Sequence, residues 1–241
     1  MPTHHDRSPQ HPPQRPTPSR VPATHDDSPR VAGPVPITVW RLGDHDDGQP
    51  ATEPGAGFAS RLAQRLVLTY TSHGETVVDF DHDPHLHAAA STAGRAYLAI
   101  TEPAALPTPG QIRKPASLIA LHWPRHTDPS TVDQIAWLLT LCRPIMTADA
   151  SLIAAVRPPQ PAEPDSSFAD HEHELRGAAE RAGFTHVLQI VVISAPGEVD
   201  QFLYYATQTE AIHMVAQAAA TTADRQVLHI DLLVFHRTGS P

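Results

Sequence analysis

The sequence predicts an α/β protein with an open, mostly parallel sheet of about six strands and helices on both faces. Short β-branched runs alternate with segments whose apolar residues recur at helical spacing, a pattern typical of βαβ units. Several of the helical segments end at a glycine, which can adopt the left-handed conformation that closes a helix. The chain has 241 residues, which is enough for one hydrophobic core of ordinary size.

The chain is predicted to divide into a tail, a linker and one domain. Ten of its 26 prolines fall in the first 36 residues, among Ser, Thr, His and Gln. Such a composition buries too little apolar surface to offset its ordering entropy, so we predict a disordered Pro/His-rich tail over residues 1–36. Residues 37–57 are interpreted as a linker with a short strand near Pro36–Leu42, and residues 58–241 as the α/β domain.

Within this domain, strands and helices are predicted to alternate along the chain. The first helix is marked by four apolar residues at helical spacing and ends near Gly74. The other helices are predicted over Leu86–Thr92, Val132–Cys142, Phe168–Ala182 and Thr209–Ala220. The strands are predicted over Thr76–Phe80, Ala96–Thr101, Ser117–Leu121, Leu152–Val156, Val187–Ile193 and Val227–Phe235.

Composition excludes several classes of function. The formal net charge is −9 and Lys114 is the only lysine, which disfavours a protein that holds nucleic acid through phosphate contacts. The single cysteine, Cys142, rules out an internal disulfide and a cysteine-based zinc site. No apolar run is long enough to span a membrane, and the N-terminus lacks the layout of a secretory signal. We therefore expect a cytoplasmic protein without a membrane partner.

Several segments resemble the amino-group (N4/N6) DNA methyltransferases, within the class I S-adenosylmethionine-dependent fold. The sequence Gly-Glu-Thr-Val-Val-Asp-Phe at 74–80 resembles the family's "Gly-Asp-x-Val-Leu-Asp-Pro-Phe" strand. Residues 93–100 resemble its "Gly-Arg-x-Tyr-Ile-Gly-Ile" strand, and residues 229–237 its closing "His-Glu-x-Leu-Leu-Val-Phe-Arg" strand. The motifs are short, but they occur in the family's order over most of residues 37–237.

The resemblance implies S-adenosylmethionine as cofactor and places its site after the first two strands of the domain. Asp79, Phe80 and Asp81 fall at the first of these positions. There the family has a glycine-rich loop, whereas this chain continues Asp-His-Asp-Pro-His at 81–85 without a glycine. At the end of the second strand, Glu102 lies one residue beyond the acid that the family uses for the ribose hydroxyls.

The family's catalytic loop, Asp/Asn/Ser-Pro-Pro-aromatic, is expected after the third recognisable strand. His122, Trp123 and Pro124 occupy that region and keep one proline and an aromatic ring in altered order. His122 has the chemistry of a general base. Both motifs are thus altered where the chemistry would occur, which predicts a degenerate, catalytically impaired domain that serves in binding or regulation.

Three alternatives stay open at this point. The first is an active S-adenosylmethionine-dependent methyltransferase that acts on an amine of a base or small molecule. The second is a metal-dependent hydrolase that uses five closely spaced ligand-type residues, Asp81, His82, Asp83, His85 and His87. The third is a phosphatase of the haloacid-dehalogenase type, in which Asp79 is the nucleophile and Asp81 the acid/base. The degenerate domain is the leading hypothesis, and the sequence does not identify its partner. The resemblance implies nucleic acid as the partner, whereas the acidic net charge disfavours it.

Overall fold

A computed structural model describes residues 35–43, 58–100, 114–124, 132–156, 167–195, 200–221 and 229–238. Most of the predicted tail, most of the linker and Glu102 therefore lie outside the described residues. Among the residues described, no helix is long and apolar enough to cross a membrane.

Five helices and eight strands form the described part of the chain. The helices are α1 (Ser60–Tyr70), α2 (Pro84–Thr92), α3 (Val132–Cys142), α4 (Phe168–Arg181) and α5 (Gln208–Thr221). The strands are β1 (Ile37–Gly43), β2 (Thr76–Asp79), β3 (Ala96–Ala99), β4 (Ala116–Trp123), β5 (Met146–Val156), β6 (Phe184–Ala195), β7 (Gln201–Ala206) and β8 (His229–Arg237). The predicted alternation of strands and helices in the domain is confirmed.

The eight strands form one mixed sheet in the order β3-β2-β4-β5-β8-β6-β1-β7. Six strands run parallel to one another, while β7 and β8 run antiparallel to their neighbours. The prediction of about six strands was therefore too low. The strand predicted at 36–42 joins this sheet as β1, through its pairing with β6, and β7 was not predicted at all.

Strand β7 was not predicted because its sequence lacks the alternation of apolar and polar residues that marks a strand with one buried face. Tyr204 and Tyr205 are consecutive and exposed, and Tyr205 has a left-handed backbone with φ of 60°. These tyrosines and Phe202 lie on an edge strand, where one row of backbone groups is satisfied by β1.

Strand β4 extends two residues past its predicted end at Leu121. It is buried along its whole length because β2 and β5 flank it and helices cover both of its faces. His122 and Trp123 are therefore strand residues, at the carboxyl end of β4. Their side chains point to opposite faces of the sheet, as consecutive residues of a strand do.

The helices cover both faces of the sheet, as predicted. One apolar cluster packs α1 and α2 against residues that include Leu118 and Ala120 of β4. A second cluster packs α3 and α4 against the other face, which includes Ile119 and Leu121. Gly94 (φ of 68°) and Gly183 (77°) follow the C-caps of α2 and α4 directly, which confirms those two predicted helix ends. Helix α1 ends earlier than predicted, at Tyr70 with an extended Thr71, and Gly74 (77°) lies in the turn before β2.

The chain changes direction across the sheet between β2 and β4. From β2 it passes through α2 to β3 on one side, whereas β4 lies on the other side and leads through α3 to β5. Helices α2 and α3 also lie on opposite faces. Open α/β sheets bind ligands in the crevice at the carboxyl ends of the strands flanking such a switch point. The residues after β2 and at the end of β4 therefore form the candidate site.

The central antiparallel strand β8 provides a test of the core. Leu232 is fully buried on β8, between β5 and β6. Leu232→Ala is expected to lower the free energy of unfolding by about 2–5 kcal/mol, because it leaves a cavity in a packed core. The matched control is Leu68→Ala on α1, which is 53% exposed and should change stability by less than about 1 kcal/mol. Equal losses in urea unfolding would contradict this placement of β8.

Candidate functional site

The loop after β2 is organised by the carboxylate of Asp79, which is fully buried. One of its oxygens accepts a hydrogen bond of 2.8 Å from the backbone N–H of Asp81, and the other accepts one of 2.6 Å from that of Asp83. The hydroxyl of Tyr97 donates a third bond, of 2.6 Å, to the second oxygen. Asp79 thus holds the loop and β3 in place from inside the protein.

Burial raises the pKa of Asp79 above its ordinary value. The hydrogen bonds from Tyr97 and from the two backbone N–H groups lower this pKa, and the nearby charge of Asp81 raises it again, but burial is the largest effect. Burial also raises the pKa of Tyr97, and its bond to Asp79 adds to that shift. Tyr97 therefore stays a neutral donor to the aspartate.

Asp83 caps the N-terminus of α2. Its Oδ1 accepts hydrogen bonds from the backbone N–H groups of His85 (2.8 Å) and Leu86 (3.0 Å), and Pro84 occupies the first helical turn. Its Oδ2 accepts a bond of 2.6 Å from the backbone N–H of Phe58, just before α1. One buried carboxylate therefore joins the starts of two helices.

His82 adopts the backbone conformation for which a glycine is best suited. Its φ is 57°, in the left-handed region, and its side chain is exposed. Side chains in this region strain the backbone, and glycine avoids the strain. The loop therefore retains a glycine-like turn at the place where the resemblance implies a glycine-rich loop, although the residue is histidine.

Asp81 and His122 connect the two strands that flank the switch point. The Oδ2 atom of Asp81 accepts a bond of 2.5 Å from the backbone N–H of His122 and lies 3.1 Å from its ring Nδ1. The ring of Phe58 packs on the imidazole with centroids 4.3 Å apart. His122 is buried, and its Nε2 has no hydrogen-bond partner among the described residues.

The structure brings some of the sequence-predicted residues together and separates others. Asp79, Asp81 and His122 meet at the crevice. Trp123, whose peptide bond to Pro124 is cis, packs in the cluster of α3 and α4, on the face opposite His122. Phe80 is also buried in that cluster. Glu102 lies outside the described residues.

Phe58 and Tyr97 were not assigned a role by sequence reasoning, and Asp83 was considered only as a metal ligand. Bonds between separate elements join Phe58 and Tyr97 to the carboxylates of the loop. Asp83 carried the clearest signal, since Asp followed by Pro is a typical start of a helix. Nothing local marked Phe58, because its partner His122 is 64 positions away in the chain.

The proposed metal-binding cluster after β2 is not assembled. Asp81 and Asp83 bond to different partners, His82 is exposed on the turn, and the ring of His87 stacks on Tyr97 at 4.6 Å. Among the described residues no group of three or more His, Cys, Asp or Glu side chains is placed to hold a metal ion. The arrangement gives no support to the hydrolase hypothesis.

Comparison with known proteins adds the following. No protein-family model and no curated protein matches the chain. Similar solved structures include a SAM dependent methyltransferase from Archaeoglobus fulgidus, with 11% identity and a TM-score of 0.42 over 76% of this chain and 96% of that one. The cyclopropane synthase MmaA2 from Mycobacterium tuberculosis has 9% identity and a TM-score of 0.41 over 78% and 88% of the two chains. Cyclopropane synthase CmaA1, complexed with SAH and CTAB, has 11% identity and a TM-score of 0.41 over 74% and 84%.

The left-handed turn at His82 predicts an unusual response to glycine. His82→Gly should be more stable than His82→Ala by about 1 kcal/mol, because glycine relieves the backbone strain and alanine does not. The control is Ala88, an exposed residue inside α2, where Ala88→Gly should lose about 1 kcal/mol. Thermal or urea unfolding measures both. Equal stability of the two His82 variants would show that the turn is not left-handed.

The raised pKa of Asp79 predicts a pH dependence of stability. Asp79 keeps its proton to a higher pH in the folded state than in the unfolded state. Between the ordinary aspartate pKa and the raised pKa of folded Asp79, its contribution to the free energy of unfolding therefore falls as pH rises. The stability of Asp79→Asn relative to the unaltered chain should therefore rise with pH over that window, as measured by urea unfolding.

Asp170 provides a control of opposite sign. Its hydrogen bonds with Ser167 lower its pKa, so it stabilises the fold above the ordinary aspartate pKa, and this stabilisation disappears as pH falls. Relative to the unaltered chain, Asp170→Asn should lose stability as pH rises. The same slope in both variants would contradict the assignment for Asp79.

Proposed function

We propose that this chain is a methyltransferase-like domain that does not catalyse methyl transfer and serves as a binding or regulatory domain. One observation carries the proposal: the loop after β2 is satisfied by the protein's own carboxylates. Asp79 and Asp83 together accept hydrogen bonds from five backbone N–H groups, at Phe58, Asp81, Asp83, His85 and Leu86. Those at the start of α2 are the kind of donors that helix N-termini and tight loops offer to a bound anion.

Charge bears on one group of the cofactor. S-adenosylmethionine is the cofactor of the family that the sequence resembles, and its methionine end carries a carboxylate beside an ammonium group. Three aspartates, at 79, 81 and 83, lie where the resemblance places that end of the cofactor. Negative charges at such short range repel one another, and burial strengthens the repulsion. The loop therefore suits the carboxylate of the cofactor poorly.

Sterics add to the effect of charge. Phe58 is fully buried and packs on His122 at the carboxyl end of β4. It is tied to the loop by the bond from its backbone N–H to Asp83. A protein ring thus takes part of the space where open α/β sheets accept ligands.

The second candidate function is that of an active methyltransferase, which transfers a methyl group to an amine of a base or small molecule. One observation favours it. His122 is oriented by Asp81, and its Nε2 is unpartnered among the described residues at the crevice. This is how a general base is commonly held. In this case Asp79 and Glu102 would hold the cofactor.

Calorimetric titration of the full chain with S-adenosylmethionine and S-adenosylhomocysteine separates the two candidates. The proposed function predicts no detectable binding of either compound. The second candidate predicts binding that Asp79→Ala and Glu102→Ala each weaken by about 1–3 kcal/mol, since each would lose a charged hydrogen bond. Asp133→Ala is the control, because this acid is exposed on α3 and pairs only with the exposed Arg181 among the described residues. Tight binding that Asp79→Ala weakens and Asp133→Ala does not would overturn the proposal.

The partner is proposed to be other than nucleic acid. The first 54 residues contain five basic and seven acidic residues, so 12 basic and 19 acidic residues are left in the rest of the chain. A surface with this balance repels phosphates more than it attracts them.

A further inference from the structure

The imidazole of His122 is fixed in one tautomer by its surroundings. The Oδ2 atom of Asp81 faces Nδ1 at 3.1 Å and is itself held by the backbone N–H of His122. A carboxylate oxygen accepts hydrogen bonds and does not donate them when ionised, so Nδ1 carries the hydrogen. In the neutral ring, Nε2 is then left with a lone pair and acts as an acceptor.

This acceptor is buried and unused within the described part of the chain. The side chain of His122 is 4% exposed, and Nε2 has no partner there. Buried polar atoms in proteins are nearly always paired, so an orphan at a crevice indicates a ligand or an ordered water molecule. The position, at the carboxyl end of β4 beside the switch point, is where a ligand would enter.

The chemistry around Nε2 narrows the class of ligand. The ring of Phe58 packs against His122, and Ala120 and Leu118 share its face of β4 within an apolar cluster. The three aspartates of the neighbouring loop disfavour phosphates and carboxylates. These neighbours favour a ligand that is not an anion, that places an apolar group beside Phe58 and that offers one hydrogen-bond donor to Nε2.

We propose that the Asp81–His122 pair is the binding site of a neutral aromatic hydroxyl compound. The hydroxyl donates to Nε2 of His122, and the aromatic ring lies beside Phe58. This inference rests on the proposed function only in taking the crevice as a binding site. It names the ligand class of that site and involves no transfer of a covalent group.

The tautomer of His122 is the first measurement. In the full chain labelled with ¹⁵N-histidine, at a pH where the imidazole is neutral, long-range ¹H–¹⁵N spectra should show the His122 ring protonated at Nδ1 and unprotonated at Nε2. The resonance is assigned by its loss in His122→Asn. A ring protonated at Nε2 would overturn the proposal, because the hydroxyl would then face a donor. This readout needs no ligand.

Phenol, anisole and benzoate are the probes for binding. Phenol should perturb the His122 signals with a dissociation constant in the millimolar range expected of a ligand with few atoms. Anisole has the same ring without the donor and should bind about tenfold more weakly, since one hydrogen bond is lost. Benzoate should not bind. Equal affinities for phenol and anisole, or no response to phenol, would overturn the proposal and leave an ordered water molecule as the partner of Nε2.

Asp81→Ala tests the pair directly. The substitution removes the acceptor that keeps the hydrogen on Nδ1, so the ring is no longer held in the tautomer whose Nε2 is an acceptor. Phenol affinity should then fall severalfold, while Asp133→Ala, which removes an exposed charge on α3, should leave it unchanged. Unchanged phenol affinity in folded Asp81→Ala contradicts the proposal. If Asp81→Ala does not fold, the comparison of phenol with anisole on the unaltered chain decides.

The phenol experiments and the calorimetric test of the proposed function can succeed or fail independently. Phenol binding without S-adenosylhomocysteine binding supports both. Binding of both ligands keeps this inference and overturns the proposed function. Binding of neither overturns this inference alone.

Discussion

The turn from β2 into α2 depends on the hydrogen bonds that its buried carboxylates accept. Backbone N–H groups at a sharp turn and at the first turn of a helix have no partners of their own, and away from water each must find an acceptor. Asp79 and Asp83 supply these acceptors, and the hydroxyl of Tyr97 fixes the orientation of Asp79. The geometry of the crevice follows from these bonds.

The same hydrogen bonds connect elements that are far apart in the sequence. Asp83 holds the residue before α1, Tyr97 brings β3 against the loop, and Asp81 reaches across to β4. A loop that binds a ligand usually keeps such donors and acceptors for the ligand. Here they are used to connect α1, β2, β3 and β4, so the loop serves the stability of the fold. At the carboxyl end of β4, Nε2 of His122 is buried without a hydrogen-bond partner among the described residues, and the ligand is proposed to bind there.

The sequence predicted the elements of the domain well because their signals are local. Strands β2 and β6 are apolar runs between turn residues, and Gly94 and Gly183 end their helices with positive φ. The edge strand β7 gave no such signal, since its exposed tyrosines have no buried partner to impose an alternating pattern. The extension of β4 through His122 was missed for a related reason. Its burial comes from β2, β5 and Phe58, none of which the local sequence reveals.

For the site, the sequence by itself determined which chemical groups are present near the switch point: a run of aspartates and histidines after β2, and a histidine and tryptophan near the end of β4. It also determined that the loop after β2 lacks glycine. Only the tertiary structure decided how these groups are used. Hydrogen bonds depend on distance and direction in space, and the partners of Asp81, Asp83 and His122 come from elements that are far apart in the chain and meet only when the sheet assembles.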